Sequence, residues 1–139
     1  MLTYALGILQ KNEKILFLLR KNTPFFSDYY GLIGGKVEDD ESITNALIRE
    51  IYEEIGITIT KDDTHFVHCL SFKNEQGKAI LAVVFKINSW TSSIINKEPD
   101  KCADLAWFSS DNLPQNIIPR HHHIMEMVQQ GILYSESSW

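Results

Sequence analysis

Two apolar runs, Thr3 to Gln10 and Ile15 to Arg20, flank the polar turn Lys11-Asn12-Glu13-Lys14, a pattern that predicts a β-hairpin. An aromatic loop follows from Asn22 to Tyr30, carrying Pro24, Phe25, Phe26, Tyr29 and Tyr30. The run Leu32 to Val37 is too short and too glycine-rich for a helix, and predicts a strand breaking into a tight turn. Asp39, Asp40 and Glu41 then favour a helix amino terminus through capping and the helix dipole. The helix is expected from about Ser42 to Ile55, with Gly56 as its stop. Strands are expected at His65 to Phe72 and Ala79 to Asn88, joined by the polar turn Lys73 to Lys78. A polar loop, Thr91 to Lys101, leads to a strand near Leu105 to Phe108 and a closing helix from about Pro119 to Gln130, ended by Gly131. Strands around a central helix, with a second helix at the end, imply a mixed sheet packed between helices, an α/β architecture.

A chain of 139 residues is the size of one domain with one core, so residues 1–139 are expected to form a single unit. No stretch approaches a membrane span, and the start MLTYALGILQKNEK lacks a basic leader and a small-residue cleavage site; a cytoplasmic location is the default expectation. The net charge of -5 opposes broad capture of a nucleic-acid polymer, although a small phosphorylated ligand needs only local positive groups. Cys69 and Cys102 have neither metal-ligand spacing nor the density of a disulfide framework, and read as buried free thiols.

The central helix carries the chemistry. At 100° per residue, Leu47, Ile48, Ile51 and Ile55 share a stripe that should face the core, while Glu50, Glu53 and Glu54 share the neighbouring wedge. Like charges at this spacing repel and lie near the negative end of the helix, so something positive should compensate. Arg49 reaches Glu53 at four-residue spacing, but one guanidinium does not neutralise three carboxylates. A solvated acidic face is one reading. A hard divalent cation bound through oxygen is the other, with magnesium the best fit because it tolerates few carboxylates and keeps waters and phosphate oxygens. Upstream, Gly34 and Gly35 let the backbone turn sharply and approach a ligand closely, with Glu38 and Glu41 before the helix.

From Gly35, five residues precede Glu41, seven more precede Arg49-Glu50-Ile51, and Glu53-Glu54, Gly56 and Ile57 complete the pattern. This resembles the Nudix box at its defining positions. The surroundings differ: Ile33 stands where proline often precedes the glycines, and Asp40 where glycine often precedes Glu41. A wider likeness through Arg20 to Thr23, Asn96 to Cys102, Trp107-Phe108 and Leu113-Pro114 is similar to a bacterial MutT-like subgroup. The resemblance implies an α/β/α sandwich with a mixed β-sheet between helices. It also implies magnesium, with manganese as a substitute, held by Glu50, Glu53, Glu54 and a backbone carbonyl near Gly35. Arg49 would orient the carboxylates, Glu53 is the first choice for deprotonating the attacking water, and Glu98 is the candidate if a distant loop supplies the base.

The activity so implied is hydrolysis of a nucleoside diphosphate linked to another group, with an ordinary or oxidised deoxynucleoside triphosphate leading and giving the monophosphate plus pyrophosphate. ADP-ribose or nucleotide-sugar cleavage is the alternative; subgroups with such substrates tend to carry proline or tyrosine shortly beyond the box, and Ile57 to Val83 has neither. A nucleotide sensor that does not hydrolyse is a further reading, opposed by the intact Glu50, Glu53 and Glu54. Arg20 and Lys36 are candidate phosphate contacts, alongside their reading as solvated charges. Phe25, Tyr30 and Asn116 are candidates for base recognition, with core capping the other role for the loop aromatics. Adjacent helical residues point about 100° apart, so His121-His122-His123 are expected in surface and packing roles rather than on one ion. Trp139 would be disordered or would pack on a second subunit, a homodimer.

Overall fold

The computed structural model describes all 139 residues. Strand β1 (Leu2–Lys11) turns through Asn12 and Glu13, both at positive φ, into β2 (Lys14–Arg20). Two short strands follow, β3 (Tyr30–Gly31) and β4 (Ile33–Lys36), and then helix α1 (Ile43–Ile55). Strands β5 (His65–Lys73) and β6 (Ala79–Ile87) form the second hairpin. Strand β7 (Cys102–Ser109), helix α2 (Pro119–Gln129) and strand β8 (Tyr134–Ser137) complete the chain.

The sheet is mixed. Its main path runs β3-β2-β1-β6-β5-β8, with β4 paired to β1 and β7 to β2. β1 is parallel to β6 and antiparallel to β4, where Ala5 faces Gly35 and Leu6 faces Gly34. That register draws the glycine turn against the middle of the sheet.

The apolar runs of β1 and β2 are nearly continuous because both faces are covered. Ala5, Leu9, Leu16 and Leu18 turn to one side and bury the apolar stripe of α1, with Leu47, Ile51 and Ile55 fully enclosed. Leu6, Ile8, Ile15 and Phe17 turn to the other and meet Ile124 and Met125 of α2. The two clusters, one under each helix, are the α/β/α sandwich that the resemblance implied. Ile48, expected on the buried stripe, lies at its edge and is half-buried.

Strand β8 was not foreseen. It adds a parallel edge to β5, and Trp139 beyond it donates its indole N–H to the Ser71 carbonyl at 3.0 Å, with Lys73 over its ring. The Trp139 ring, 58% exposed, makes this contact within its own chain, where a carbonyl satisfies its N–H. Both cysteines are free, but only Cys102 is buried, Cys69 being half-exposed on β5. No helix is long and apolar enough to cross a membrane.

Candidate active site

The site is built around the two ends of α1. At the start, Ser42 caps the helix by accepting from Asn45 N–H at 3.1 Å, and Glu41 accepts from Glu38 N–H at 2.9 Å, which closes the loop between the glycine turn and the helix. At the end, Gly56 takes the left-handed conformation, φ 76°, that stops a helix. The loop after β6 then answers the exposed helix carbonyls: Ile95 N–H donates to Ile55 O at 3.0 Å and Lys97 N–H to Glu54 O at 3.1 Å. This docking, reinforced by the Lys97 ammonium 3.8 Å from the centre of the Tyr52 ring, carries Glu98 toward Glu50 and Glu54.

Arg49 organises the acidic edge. It binds Glu41 by two hydrogen bonds, Nη2 to Oε1 at 2.6 Å and Nε to Oε2 at 3.0 Å, and the Lys36 carbonyl at 3.1 Å. Its Nη1 donates to Glu50 at 3.0 Å and to Glu53 at 3.2 Å. All three ion pairs use one planar fork, which lysine does not present. These partners hold the guanidinium pKa above its ordinary value, the Glu41 hydrogen bond most of all, and the same bond holds the Glu41 carboxyl below its own.

The glycines admit this edge to the sheet. A side chain at Gly34 would strike the Ala5 carbonyl on the paired strand, and its φ of 142° is one that L-residues rarely adopt. A Cβ on Gly35 would lie 2.5 Å from Glu50 Oε1, so the Glu50 carboxylate rests directly on the backbone there. Glu54 accepts from Gly34 N–H at 2.9 Å. Burial raises the Glu50 pKa and, more strongly, that of Glu54, where the Glu50 and Glu98 charges add to the effect.

Glu50, Glu53 and Glu54 line this edge with carboxylate oxygens, and burial disfavours the charge on Glu50 and Glu54; oxygen donors of this kind are the chemistry a hard divalent cation fits. With Arg49 bound to Glu50 and Glu53, no three acidic side chains converge into a finished metal cage.

Across the strand from this edge lies a cavity of about 370 Å³. Gly34 and Gly35 form one rim; Leu6, Leu70, Phe72 and Ile80 supply an apolar floor, and Phe25, Phe26, Arg20, Arg120 and His121 supply walls. Apolar floor and few polar walls is the usual make-up of a small-ligand site. Of the predicted residues, Arg20 and Phe25 are brought into the cavity. Asn116 is not: its amide is spent on the Asp28 carbonyl at 2.9 Å, which holds the aromatic loop. Tyr30 packs edge-on against Phe108, 5.0 Å between centroids, and belongs to the core. Lys36 is exposed and takes part through its backbone carbonyl. The three histidines point to separate partners: His121 to Leu32 N–H, His122 to Glu126 and His123 to Ser135.

Sequence reasoning missed Arg120, His121 and Glu75. Arg120 pairs with Glu75 of the β5–β6 turn at 2.6 Å and lies over Phe72 and Phe26. No local signal marks them, because they meet only when α2 crosses that turn.

Comparisons with known proteins bear on the family and the fold. An 8-oxo-dGTP diphosphatase of Buchnera aphidicola is 28% identical over 131 residues, 94% of this chain and 95% of its own. An ADP-ribose pyrophosphatase of Methanocaldococcus jannaschii is 31% identical over 109 residues, 78% of this chain; the match spans only 62% of that relative's length. The crystal structure of a MutT NUDIX hydrolase from Burkholderia pseudomallei superposes with a TM-score of 0.81 at 27% identity, covering 89% of this chain and 95% of that one. The NUDIX domain model matches residues 1–128, nearly the whole chain, and with the acidic helix edge standing on the glycine turn it places this protein in the Nudix hydrolase family.

Proposed function

We propose that this chain is a divalent-metal-dependent pyrophosphohydrolase of nucleoside triphosphates, ordinary or oxidised, releasing the monophosphate and pyrophosphate. The observation that carries the reading is the adjacency of the acidic edge of α1 to the cavity, with Gly34 and Gly35 forming the border of both. A phosphate chain laid along that border reaches the carboxylates while its nucleoside enters the cavity. The name of the Buchnera relative supports this substrate class, and the name of the archaeal relative keeps an ADP-ribose-like diphosphate as the second reading.

Magnesium or manganese would be held by Glu50, Glu53, Glu54 and the Gly35 carbonyl, and when bound supplies neutralisation of phosphate charge and a more acidic water. Arg49 keeps Glu50 and Glu53 side by side on one edge of the helix. Arg20, between Glu54 and the cavity, offers a positive charge to the phosphates. In the reaction a water oxygen forms a bond to phosphorus and the bridging P–O bond breaks. The departing fragment, monophosphate or pyrophosphate according to which phosphorus is attacked, leaves with the bridging oxygen, and the water proton passes to a carboxylate. Glu53 is the first choice for that carboxylate. Glu98 is the second: it is half-buried beside Glu50 and Glu54, and its side chain has no hydrogen-bond partner in the chain. The substrate is a small molecule, and nothing in the reading requires a nucleic-acid polymer, a membrane or a second subunit.

The test is release of pyrophosphate or phosphate over a panel of nucleoside triphosphates, ADP-ribose and nucleotide sugars, with magnesium and with chelator. Turnover of triphosphates that requires the metal supports the proposal. Binding without turnover across the panel would replace it with a sensor.

A further inference from the structure

Three stretches of chain that are distant in sequence meet at one guanidinium on the cavity wall. Arg120, in the first turn of α2, pairs with Glu75 of the β5–β6 turn at 2.6 Å. Its guanidinium carbon lies 4.5 Å from the centre of the Phe72 ring, near the end of β5, and 5.6 Å from that of Phe26, in the aromatic loop. All four residues line the cavity. A planar cation that rests on aromatic rings while it pairs with a carboxylate suits such a junction. Phe26 itself has a φ of 57°, left-handed backbone that a bulky residue holds only where its surroundings impose it. The pair is open to solvent, with the Arg120 side chain 20% and the Glu75 side chain 34% exposed. Ion pairs this open add little to the stability of a whole fold, so the effect of this one is local.

Resting on the reading of this cavity as the nucleoside site of the hydrolase, we propose that Arg120 is a positioning residue: paired with Glu75 and laid against Phe26 and Phe72, it braces the β5–β6 turn and the aromatic loop so that the wall is formed before the nucleotide enters. A wall already ordered leaves less to be ordered on binding. The acidic edge of α1, on which the phosphorus chemistry depends, pairs with Arg49 and not with Arg120. Loss of the brace therefore weakens ground-state and transition-state binding alike, and shows in KM rather than in kcat.

Two measurements on the full chain test this. The first, hydrogen–deuterium exchange of the protein without metal or nucleotide, needs no substrate. In Arg120→Ala the hydrogen-bonded amides of Asp28 and Tyr29 in the loop, and of Gln76, Gly77 and Lys78 in the turn, should exchange about threefold faster or more, with those of α1 unchanged. The second is steady-state kinetics with dGTP and with ADP-ribose, each with magnesium. On whichever compound is turned over, Arg120→Ala and Glu75→Ala should each raise KM about five- to tenfold with kcat within about twofold of wild type. The double variant should be no worse than either alone, because both changes remove one brace. Arg120→Lys, which keeps a cation for Glu75, should recover part of the loss. Effects that multiply in the double variant overturn the inference, since the two side chains would then act separately. So does a fall in kcat at unchanged KM, or unchanged exchange in loop and turn. Should Arg120→Ala fail to fold, exchange in Glu75→Ala decides. Turnover of neither compound by wild type counts against the hydrolase reading and not against the brace, which exchange then judges alone.

Discussion

The guanidinium of Arg49 and the carboxylate of Glu41 meet through two hydrogen bonds, 2.6 and 3.0 Å long, although they lie eight positions apart with the helix cap between them. Glu41 thereby faces Arg49 rather than the proposed metal edge, and its place in the motif is explained by what it does to Arg49. With two nitrogens of the fork fixed, the third reaches Glu50 and Glu53 together. Arg49→Lys keeps the charge but loses the fork, and should lower kcat about ten- to a hundredfold with circular dichroism unchanged. A steady-state assay of that variant showing wild-type kcat would mean the carboxylates need no such alignment.

The two glycines should fail differently when changed. Gly34→Ala sets a methyl group against the Ala5 carbonyl in a positive-φ backbone, so it should destabilise the fold itself, by about 3 kcal/mol or more in urea denaturation. Gly35→Ala meets only the Glu50 carboxylate, a side chain that can swing away. Its expected result is a folded protein with weakened magnesium dependence and low turnover. A Gly35→Ala protein with normal kinetics would remove the backbone of Gly35 from the site.

Raised pKa values at Glu50 and Glu54 give the metal-free protein a signed pH response. Both groups bind a proton more tightly folded than unfolded. Their contribution to stability is present below the ordinary carboxylate value of 4.5 and is lost as pH rises above it through the raised folded values. Magnesium, binding the ionised folded form, should restore stability, so its effect on the thermal midpoint should be larger near about pH 8 than near about pH 5. Thermal melts with and without chelator at both pH values check this. Equal magnesium shifts would contradict the assignment of these two side chains to the metal.

Glu53 and Glu98 can be separated as proton acceptors. Glu53→Gln is expected to lower kcat about a hundredfold or more, whereas Glu98→Gln should cost less. The reverse order of effects would transfer the role to Glu98, whose loop is held by Ile55 and Glu54 carbonyls.

How much of this was legible follows from how far apart in the chain the interacting residues lie. Helix α1, its caps at Ser42 and Gly56, its buried stripe and its acidic edge follow from spacing within fifteen residues, because helical geometry converts sequence separation directly into angle. The sheet strands were legible for a similar reason, their apolar runs marking chain covered on both faces. Strand β8 was not, since its four residues Tyr134–Ser137 alternate weakly and are held by pairing to β5.

The cavity is the opposite case. Its walls come from β1, β2, β4, the β5–β6 turn and α2, and Arg120, His121 and Glu75 acquire their roles only through partners distant in the chain. Asn116 and Tyr30 looked suited to a base, yet packing sends the first to a loop carbonyl and the second into the core. The amino-acid order by itself determined the family, the helix and the line of carboxylates on it, because those are set by local backbone geometry. Which side chains surround the ligand space, and which of them pair with one another there, was decided by tertiary structure alone, because burial and pairing depend on what the fold brings from elsewhere.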